Sequence, residues 1–154
     1  GYWELEFILA EASVRGWIAT DAKEHYENGV KASFDFYNTY AKNFETYVES
    51  SDADTYLLGA EVAFDNSLTT DEKLELILTQ KYFTSFLQTG WRAYFDHLRT
   101  GYPAFAQLPG ATPPTRWIYP NSEYNNNSAN VAAAIERQFG AGNDKIREIT
   151  WWLE

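Results

Sequence analysis

Residues 5–12 read Leu-Glu-Phe-Ile-Leu-Ala-Glu-Ala, and the spacing of apolar residues in this stretch indicates a helical fold. Apolar side chains that recur every three or four residues predict an amphipathic α-helix. The predicted apolar face carries Leu5, Ile8, Leu9 and Ala12. The pattern continues to Gly16, where we predict a turn. The chain therefore opens with a helix whose apolar face needs a neighbouring element to cover it.

A second helix is predicted after this turn, because Asp21 and Glu24 have the spacing of a capping box. Small side chains would let the two helices approach closely as an antiparallel pair. These small residues are Ala10, Ala22 and Gly29. Their spacing resembles one tetratricopeptide unit, so we predict a tetratricopeptide-like hairpin over residues 1–36. A single unit of this kind cannot bury its own apolar face, so we expect it to pack on another element.

The clearest helical pattern starts after Thr69, which forms a second capping box with Glu72. Its apolar stripe consists of Leu74, Ile77, Leu78, Tyr82, Phe86 and Leu87. Gly90 should end or kink this helix, and another helical stretch follows, so we predict long helices over residues 69–98. Residues 37–68 show no clear period, and we expect short helical pieces and loops there.

Five prolines lie from Pro103 to Pro120, and this density excludes a regular helix in that part of the chain. We predict an extended crossing over residues 101–127, followed by a C-terminal helix and tail over residues 128–154. We treat residues 1–154 as a single segment. The predicted fold class is mainly α, with helical hairpins joined to one long, Pro-rich, irregular wrap.

The composition excludes several classes of partner. Acidic residues number 22 against 12 basic ones, for a formal net charge of −10. Nucleic acids and anionic membrane surfaces need a basic surface, so neither is expected as a partner. The chain has no cysteine, which excludes disulfides and thiolate sites, and no run approaches the roughly 18 apolar residues that span a bilayer. Because the chain starts at Gly1 and contains no Met, we expect residue 1 to be a cut end.

The sequence shows no pattern typical of an enzyme or a metal site. His25 and His97 each lie without a second ligand at metal spacing, and the common nucleophile, phosphate and dinucleotide motifs are missing. Asp52-Ala53-Asp54 resembles the start of a calcium loop, but Leu57 occupies the position that requires glycine. We therefore predict no catalytic residue, no metal and no cofactor.

Aromatic residues make up 18% of the chain, a share that suits both core packing and sugar binding. A sugar packs its C–H face on an aromatic ring while its hydroxyls bond polar neighbours. The candidates for sugar contacts lie outside the clear helical stripes, and core packing is the alternative for each of them. These candidates are Tyr37, Tyr40, Tyr47 and Trp117. Rings at helical spacing are predicted to pack in the core, and these are Phe83, Phe86, Trp91 and Phe95.

Several motifs, read in order, carry a resemblance to a known family. They include Glu6-Phe7-Ile8-Leu9-Ala10-Glu11-Ala12, Glu61-Val62-Ala63-Phe64, Gln80-Lys81-Tyr82-Phe83, Gly90-Trp91-Arg92-Ala93-Tyr94, Arg99-Thr100-Gly101-Tyr102-Pro103, Tyr119-Pro120-Asn121-Ser122-Glu123, Gly142-Asn143-Asp144 and Trp151-Trp152. Together they make nearly the whole chain resemble the C-terminal part of the SusD/RagB-like outer-membrane lipoproteins of Bacteroidetes. Many members of that family have two arginines before Thr-Gly, where this chain has Leu98-Arg99.

The resemblance implies the C-terminal part of a SusD-like fold in a protein anchored at the outer-membrane surface by a lipidated N-terminus outside this chain. It implies a SusC-like TonB-dependent transporter as partner and an oligosaccharide as ligand, with no catalysis. Some members take peptides instead, and a transporter-associated scaffold that captures no ligand is a further alternative. The family's sugar-contacting residues are not carried over, because they vary among members.

The matched motifs are best explained by a structural role in the fold rather than by ligand contacts. Arg99 and Arg116 lie in or near the Pro-rich crossing, beside carboxylates such as Glu123 and Asp144. We expect these residues to form buried ion pairs that hold the crossing in place. A glycoside hydrolase would instead need two carboxylates roughly 5–10 Å apart in a cleft. The acidic pairs of this chain are predicted to lie on solvated helix surface.

Overall fold

The computed structural model describes residues 1–43, 48–86 and 88–153, and the regular structure in these ranges is helical. The prediction of a mainly α fold is confirmed. The helices are α1 (Tyr2–Val14), α2 (Ala22–Tyr40), α3 (Asp52–Tyr56), α4 (Thr70–Ser85), α5 (Gly90–Thr100), α6 (Asn121–Asn126) and α7 (Ser128–Phe139), with a 3-10 turn at Trp151–Leu153. None of these described helices combines the length and the apolar character needed to cross a bilayer. The chain divides into two compact units, Gly1–Ala104 and Phe105–Glu154.

Helices α1 and α2 form an antiparallel hairpin in the first unit. Ser13 bonds Thr20 near the turn, whereas Trp3 packs on Phe36 at the far end of the pair. The second helix continues to Tyr40, beyond the predicted end of the hairpin at residue 36. The first turn of α1 therefore meets the last turns of α2.

Gly29 lies where the two helices approach closely. A Cβ atom at this position would lie 3.0 Å from the Phe7 ring, which is closer than ordinary van der Waals contact. Phe7 is fully buried, and its ring packs edge-on against Tyr26 with 6.1 Å between the centroids. The missing side chain at Gly29 thus lets the Phe7 ring fill the space between the helices.

Tyr26 connects the hairpin to the irregular segment that follows α3. Its hydroxyl donates a hydrogen bond to the carbonyl oxygen of Val62 at 2.6 Å. Its ring lies 5.3 Å from that of Phe64, and Ile77 of α4 belongs to the same buried cluster. Burial raises the pKa of Tyr26, so its hydroxyl keeps its proton and remains a donor. The core of the first unit is therefore centred on one tyrosine.

The buried face of α1 differs from the predicted face. Leu5 and Ile8 are 50% and 46% exposed, so the predicted apolar face is wrong. The buried residues of α1 are Glu6, Phe7, Ala10 and Glu11. Two carboxylates can occupy this face because Glu11 is paired with two arginines and Glu6 is hydrogen-bonded to His25. A buried polar group that has such partners is far less costly than one without them.

Side chains cap α2 and α4 at the predicted positions. Asp21 accepts hydrogen bonds from the backbone N–H groups of Lys23 and Glu24 at the start of α2, but Glu24 does not bond back to complete the predicted capping box. Thr69 and Glu72 form a reciprocal capping box at the start of α4, which is confirmed as predicted. These bonds satisfy backbone donors that have no partner within the helix.

The region predicted as long helices over residues 69–98 consists of two helices with a break between them. The first ends at Ser85, and the second begins at Gly90 and continues to Thr100. Gly101 follows with φ at +80°, a left-handed conformation that glycine adopts without strain. The glycine of the Arg-Thr-Gly-Tyr-Pro motif thus ends α5.

The four rings expected in the core are exposed on the surface of the first unit, which corrects the prediction. They are Phe83, Phe86, Trp91 and Phe95. Ile77, Leu78 and Lys81 are buried on one face of α4, and at 3.6 residues per turn this places Phe83 on the other side of the helix. Phe86 follows the last residue of α4, where the backbone is no longer helical. In α5, Ala93 is buried, and positions 91 and 95 fall on the opposite side for the same reason.

The second unit combines an extended segment with α6 and α7. Thr115 in the extended segment donates its backbone N–H to the carbonyl oxygen of Ile146 at 2.8 Å. The predicted crossing over residues 101–127 is too long, because α6 begins directly after Pro120. A proline suits this place, since the first residues of a helix donate no intrahelical hydrogen bond. The next helix, α7, ends before Gly140, which has φ at +86°.

We expect Gly29→Ala to lower the free energy of unfolding of the intact protein by about 1 kcal/mol. Overpacking against the fixed Phe7 ring costs about 1–3 kcal/mol, whereas the gain in helix propensity is about 1 kcal/mol. Gly90→Ala is the matched control, because an added Cβ there meets nothing within 4 Å. Urea unfolding followed by circular dichroism measures both variants. Equal effects of the two substitutions would contradict the close approach at Gly29.

Candidate functional site

Aromatic rings gather where the first turn of α1 meets the end of α2. The Phe36 ring lies 4.6 Å from Trp3, 5.0 Å from Tyr40 and 5.5 Å from Tyr37, measured between centroids. Centroid distances in this range are those of interacting ring pairs. The antiparallel hairpin therefore builds one aromatic cluster from the start and the end of its sequence.

Beside this cluster lies a shallow groove of about 420 Å³, which we name the aromatic groove. Its lining residues are Tyr2, Trp3, Asn28, Lys31, Ala32, Asp35, Phe36, Thr39 and Tyr40. The polar members recur at three- and four-residue intervals along α2, so they share one helical face. The aromatic groove thus combines rings with an amide, an ammonium, a carboxylate and a hydroxyl.

One charge in the aromatic groove is already compensated. Lys31 Nζ lies 3.0 Å from Asp54 Oδ1 of α3, and this hydrogen bond raises the pKa of Lys31. The ammonium group therefore remains protonated but has an acidic partner in the same unit. The aromatic groove is consequently a poor site for capturing anions.

The other predicted sugar contacts lie elsewhere. Tyr37 lines a different cavity, and its hydroxyl accepts a hydrogen bond from Gln88 Nε2 at 3.1 Å. Trp117 is exposed in the second unit, and Tyr47 lies outside the described residues. Trp3 was missed, because a ring inside a predicted helix is expected to pack in the core. Its position before the first buried residues of α1 was the signal that could have identified it.

A series of ion pairs, which we name the ion-pair chain, joins α1, α4 and α5. Arg99 donates hydrogen bonds to both carboxylate oxygens of Glu11, at 2.5 and 2.9 Å, and Arg15 donates another at 2.8 Å. Arg99 also lies 2.9 Å from Asp96, whose other oxygen lies 2.8 Å from Lys81 Nζ. The charges alternate in sign from one end to the other. Each interior member therefore lies between two opposite charges.

Glu11 is the most buried carboxylate of the ion-pair chain, with 6% of its surface exposed. Burial alone would raise the pKa of Glu11, but the hydrogen bonds from Arg99 and Arg15 outweigh burial and lower it. The same bond with Glu11 raises the pKa of Arg99. Both groups are therefore charged at neutral pH.

A second buried carboxylate in α1, Glu6, links the helix to the aromatic groove. His25 Nδ1 lies 2.7 Å from Glu6 Oε2, and Tyr2 of the aromatic groove also bonds this carboxylate. Burial opposes ionisation, but the bonds from Tyr2 and His25 lower the pKa of Glu6. Tyr2 is thus tied to a buried charge at the edge of the aromatic groove.

In the second unit, Arg116 and Asp144 are brought together. Their Nη1 and Oδ1 atoms lie 2.7 Å apart. The other Asp144 oxygen accepts the Tyr119 backbone N–H at 3.0 Å and the Tyr124 hydroxyl at 2.5 Å. Burial would raise the pKa of Asp144, but the bonds from Tyr124 and Arg116 lower it. The Asp144 carboxylate therefore accepts hydrogen bonds from three donors, all of which precede α7 in the sequence.

The remaining ion-pair candidates have other partners. Arg99 binds Glu11 and Asp96, so it anchors α5 to α1 rather than pairing with the carboxylates that the sequence suggested. Glu123 accepts a hydrogen bond from the Asn127 side chain at 3.4 Å. It shows no ion pair within residues 1–43, 48–86 and 88–153. Arg99 thus forms its long-range ion pair with Glu11, within the first unit.

The histidines have structural partners. His25 bonds Glu6, and His97 Nδ1 lies 2.9 Å from the carbonyl oxygen of Pro103. Among the residues that the structure describes, no three His, Cys, Asp or Glu side chains converge as a metal site. These bonds account for both histidines as parts of the scaffold.

The chain is similar in sequence to one family of nutrient-binding proteins. The family model called SusD-like and described as starch-binding, associating with the outer membrane, matches residues 1–120. No curated protein matches the chain. The matched residues include α1 to α5 and the extended segment.

Solved structures share the fold of this chain. A SusD homolog from Bacteroides fragilis NCTC 9343 matches with a TM-score of 0.93 and 49% identity, over 100% of this chain and 34% of that one. Another from the same strain matches with a TM-score of 0.88 and 36% identity, over 100% and 35% of the two chains. A chitin-binding SusD homolog from Flavobacterium johnsoniae matches with a TM-score of 0.75 and 28% identity, over 99% and 36%. The chain spans about a third of the length of these structures.

We expect Glu11→Gln to lower the free energy of unfolding at pH 7 by about 1–3 kcal/mol, because two arginines lose a charged acceptor. Arg99 is 42% exposed, and its solvation keeps the loss below that of a fully buried pair. Since the folded-state pKa of Glu11 is lowered, its contribution is complete above the ordinary value of 4.5 and disappears as the pH falls through the folded-state value.

Urea unfolding of the intact protein between pH 3 and pH 7 measures this effect. The wild type and Glu11→Gln should differ at pH 7 and converge at low pH. Glu136→Gln, at an exposed position of α7, is the matched control and should follow the wild type throughout. A constant difference across the pH range would contradict the role of the Glu11 charge.

Proposed function

We propose a function from the premise that this chain belongs to the SusD-like family, described as starch-binding and associating with the outer membrane. In this proposal the intact protein is a non-catalytic glycan-binding protein of the cell surface. It binds oligosaccharides and delivers them to a SusC-like TonB-dependent transporter. Because the chain spans about a third of its relatives' length, the proposal concerns the intact protein, in which this chain forms the C-terminal part.

The observation that carries the proposal is the aromatic groove. Trp3 and Tyr40 supply ring faces on which the C–H face of a sugar can pack. Asn28, Asp35 and Thr39 supply hydrogen-bond donors and acceptors for the hydroxyls of the same sugar. This combination of apolar rings with a few polar groups is typical of small-ligand sites.

Charge favours an uncharged glycan. The formal net charge of −10 repels polyanionic ligands, and the Lys31 ammonium in the aromatic groove is paired with Asp54. A neutral oligosaccharide meets neither repulsion nor an unpaired cation. The chitin-binding relative from Flavobacterium johnsoniae supports a ligand of this kind over a peptide.

Binding without turnover is part of the proposal. The family is described by what it binds, and the buried carboxylates have partners in the scaffold. Glu6 is hydrogen-bonded to His25, whereas Glu11 and Asp144 form ion pairs with arginines. An N-terminal lipid anchor at the outer membrane would hold the aromatic groove outside the cell, beside the transporter. The protein then acts as a receptor that delivers its bound ligand chemically unchanged.

We expect Tyr40→Ala to weaken glycan binding by the intact protein about 5- to 10-fold, equivalent to about 1–1.5 kcal/mol for a lost ring contact. Tyr40→Phe keeps the ring and should retain most of the affinity. Calorimetric titration with maltohexaose and N-acetylchitohexaose measures the dissociation constants. Trp152→Ala, an exposed ring of the second unit, is the control and should bind as the wild type does.

Two results would count against the proposal. Binding of neither neutral hexamer by the wild type would remove the glycan-binding function and favour the peptide ligand or the transporter-associated scaffold. An unchanged dissociation constant for Tyr40→Ala, with a wild type that binds, would leave the function in place and remove the aromatic groove as its site.

A further inference from the structure

The positive charge of the aromatic groove has its partner outside the groove. Among the described residues that line this groove, Lys31 carries the positive charge. Its Nζ atom lies 3.0 Å from Asp54 Oδ1. Asp54 belongs to α3 and does not line the groove. A residue outside the aromatic groove therefore controls the charge that a ligand meets inside it.

The position of Asp54 is fixed by the packing of α3, although its own side chain is 77% exposed. The neighbouring Ala53 is buried. Two residues further on, the Tyr56 ring lies 5.5 Å from the Phe34 ring of α2, measured between centroids. The Tyr56 hydroxyl also donates a hydrogen bond to Gln80 Oε1 of α4 at 2.9 Å. Because α3 is anchored on both sides of Asp54, its carboxylate is presented to Lys31 by the fold.

Two other carboxylates lie one helical turn from Lys31, but neither takes the place of Asp54. Glu27 precedes Lys31 by four residues and pairs with Lys23 at 3.7 Å. Asp35 follows Lys31 by four residues and lines the aromatic groove itself. An acidic residue that follows a lysine along a helix is the less favourable order for an ion pair, and Lys31 bonds Asp54 instead. Loss of the Asp54 charge would therefore leave the half-exposed ammonium of Lys31 without its hydrogen-bonded partner.

We propose that Asp54 is a specificity-determining residue of the aromatic groove, because it occupies the Lys31 ammonium and thereby weakens binding of glycans that carry carboxylate or sulfate groups. An ammonium without a partner attracts such anions. With Asp54 in place, an anionic sugar has to displace this carboxylate and then lies beside its charge. Selection against a ligand by an unfavourable charge is a general route to specificity. This inference rests on the proposed function and names the residue that sorts its ligands by charge.

The test compares two ligands on the same variants of the intact protein. Calorimetric titrations use hexagalacturonate as the anionic probe and, as the neutral reference, whichever of maltohexaose and N-acetylchitohexaose the wild type binds. The readout is the ratio of the two dissociation constants, which a general loss of stability would not change. The variants are Asp54→Asn and the double variant Lys31→Gln/Asp54→Asn, which restores the net charge of the wild type. Glu136→Gln, at an exposed position of α7, is the matched control for the change in net charge.

We expect Asp54→Asn to shift this ratio toward hexagalacturonate by about 2- to 5-fold, the effect of one exposed ion pair. Glu136→Gln should keep the wild-type ratio, because its charge lies outside the aromatic groove. The double variant should lose the gain, because the ammonium that attracts the anion is then missing. In 1 M NaCl, where the screening length is about 3 Å, the ratio for Asp54→Asn should approach that of the wild type.

Three results would count against this inference. A wild type that binds a neutral hexamer, with no gain in hexagalacturonate binding for Asp54→Asn, would overturn the inference and leave the proposed function standing. A gain that persists in the double variant would also overturn it, because Lys31 would then not be the group that the anion meets. A wild type that binds neither neutral hexamer would instead overturn the proposed function and this inference with it.

Discussion

The first unit depends on one buried charge. Glu11 lies on the inner face of α1, where an unpaired carboxylate would be very costly to bury, and two arginines make its ionised form the favoured one. One of them, Arg99, belongs to α5, so this single carboxylate links the start of the unit to its last helix. The position of α1 is then fixed from two sides, by Arg99 and by the close approach of Phe7 to Gly29.

The aromatic groove follows from this arrangement of helices. With α1 held against α2, Trp3 packs on Phe36, and Phe36 packs on Tyr40. The aromatic groove forms at that end of the hairpin. The inner face of α4 carries Leu74, Ile77 and Leu78 together with buried polar residues, among them Lys81, which pairs with Asp96 of α5. The scaffold and the surface that we assign to ligand binding are thus two sides of the same helices.

Local signals in the sequence predicted much of the fold, but the sequence did not indicate which charged groups would pair with each other. The capping pair of Thr69 and Glu72 and the glycines that end helices act within a few residues, so their spacing is informative. Glu11 could not be assigned to the buried face of α1, because its partner Arg99 lies far away in the sequence. Trp3 was overlooked for a related reason, since it is half-buried at the edge of the core, and the position of that edge depends on which face of the helix is covered. Tyr40 could be named as a candidate from its polar neighbours in the sequence. The groove that it lines could not be predicted, because its residues come from both α1 and α2.

The alternating signs of the ion-pair chain restrict how this architecture can change. Replacing any interior member leaves like charges as neighbours or a buried charge without its counterpart. Accepted replacements at these positions must therefore come in compensating sets, and related sequences should show them as covariation between the first helix and the fifth. For protein engineering, the hairpin is not a portable module. A graft of α1 and α2 onto another scaffold would need to bring the guanidinium of Arg99 with it.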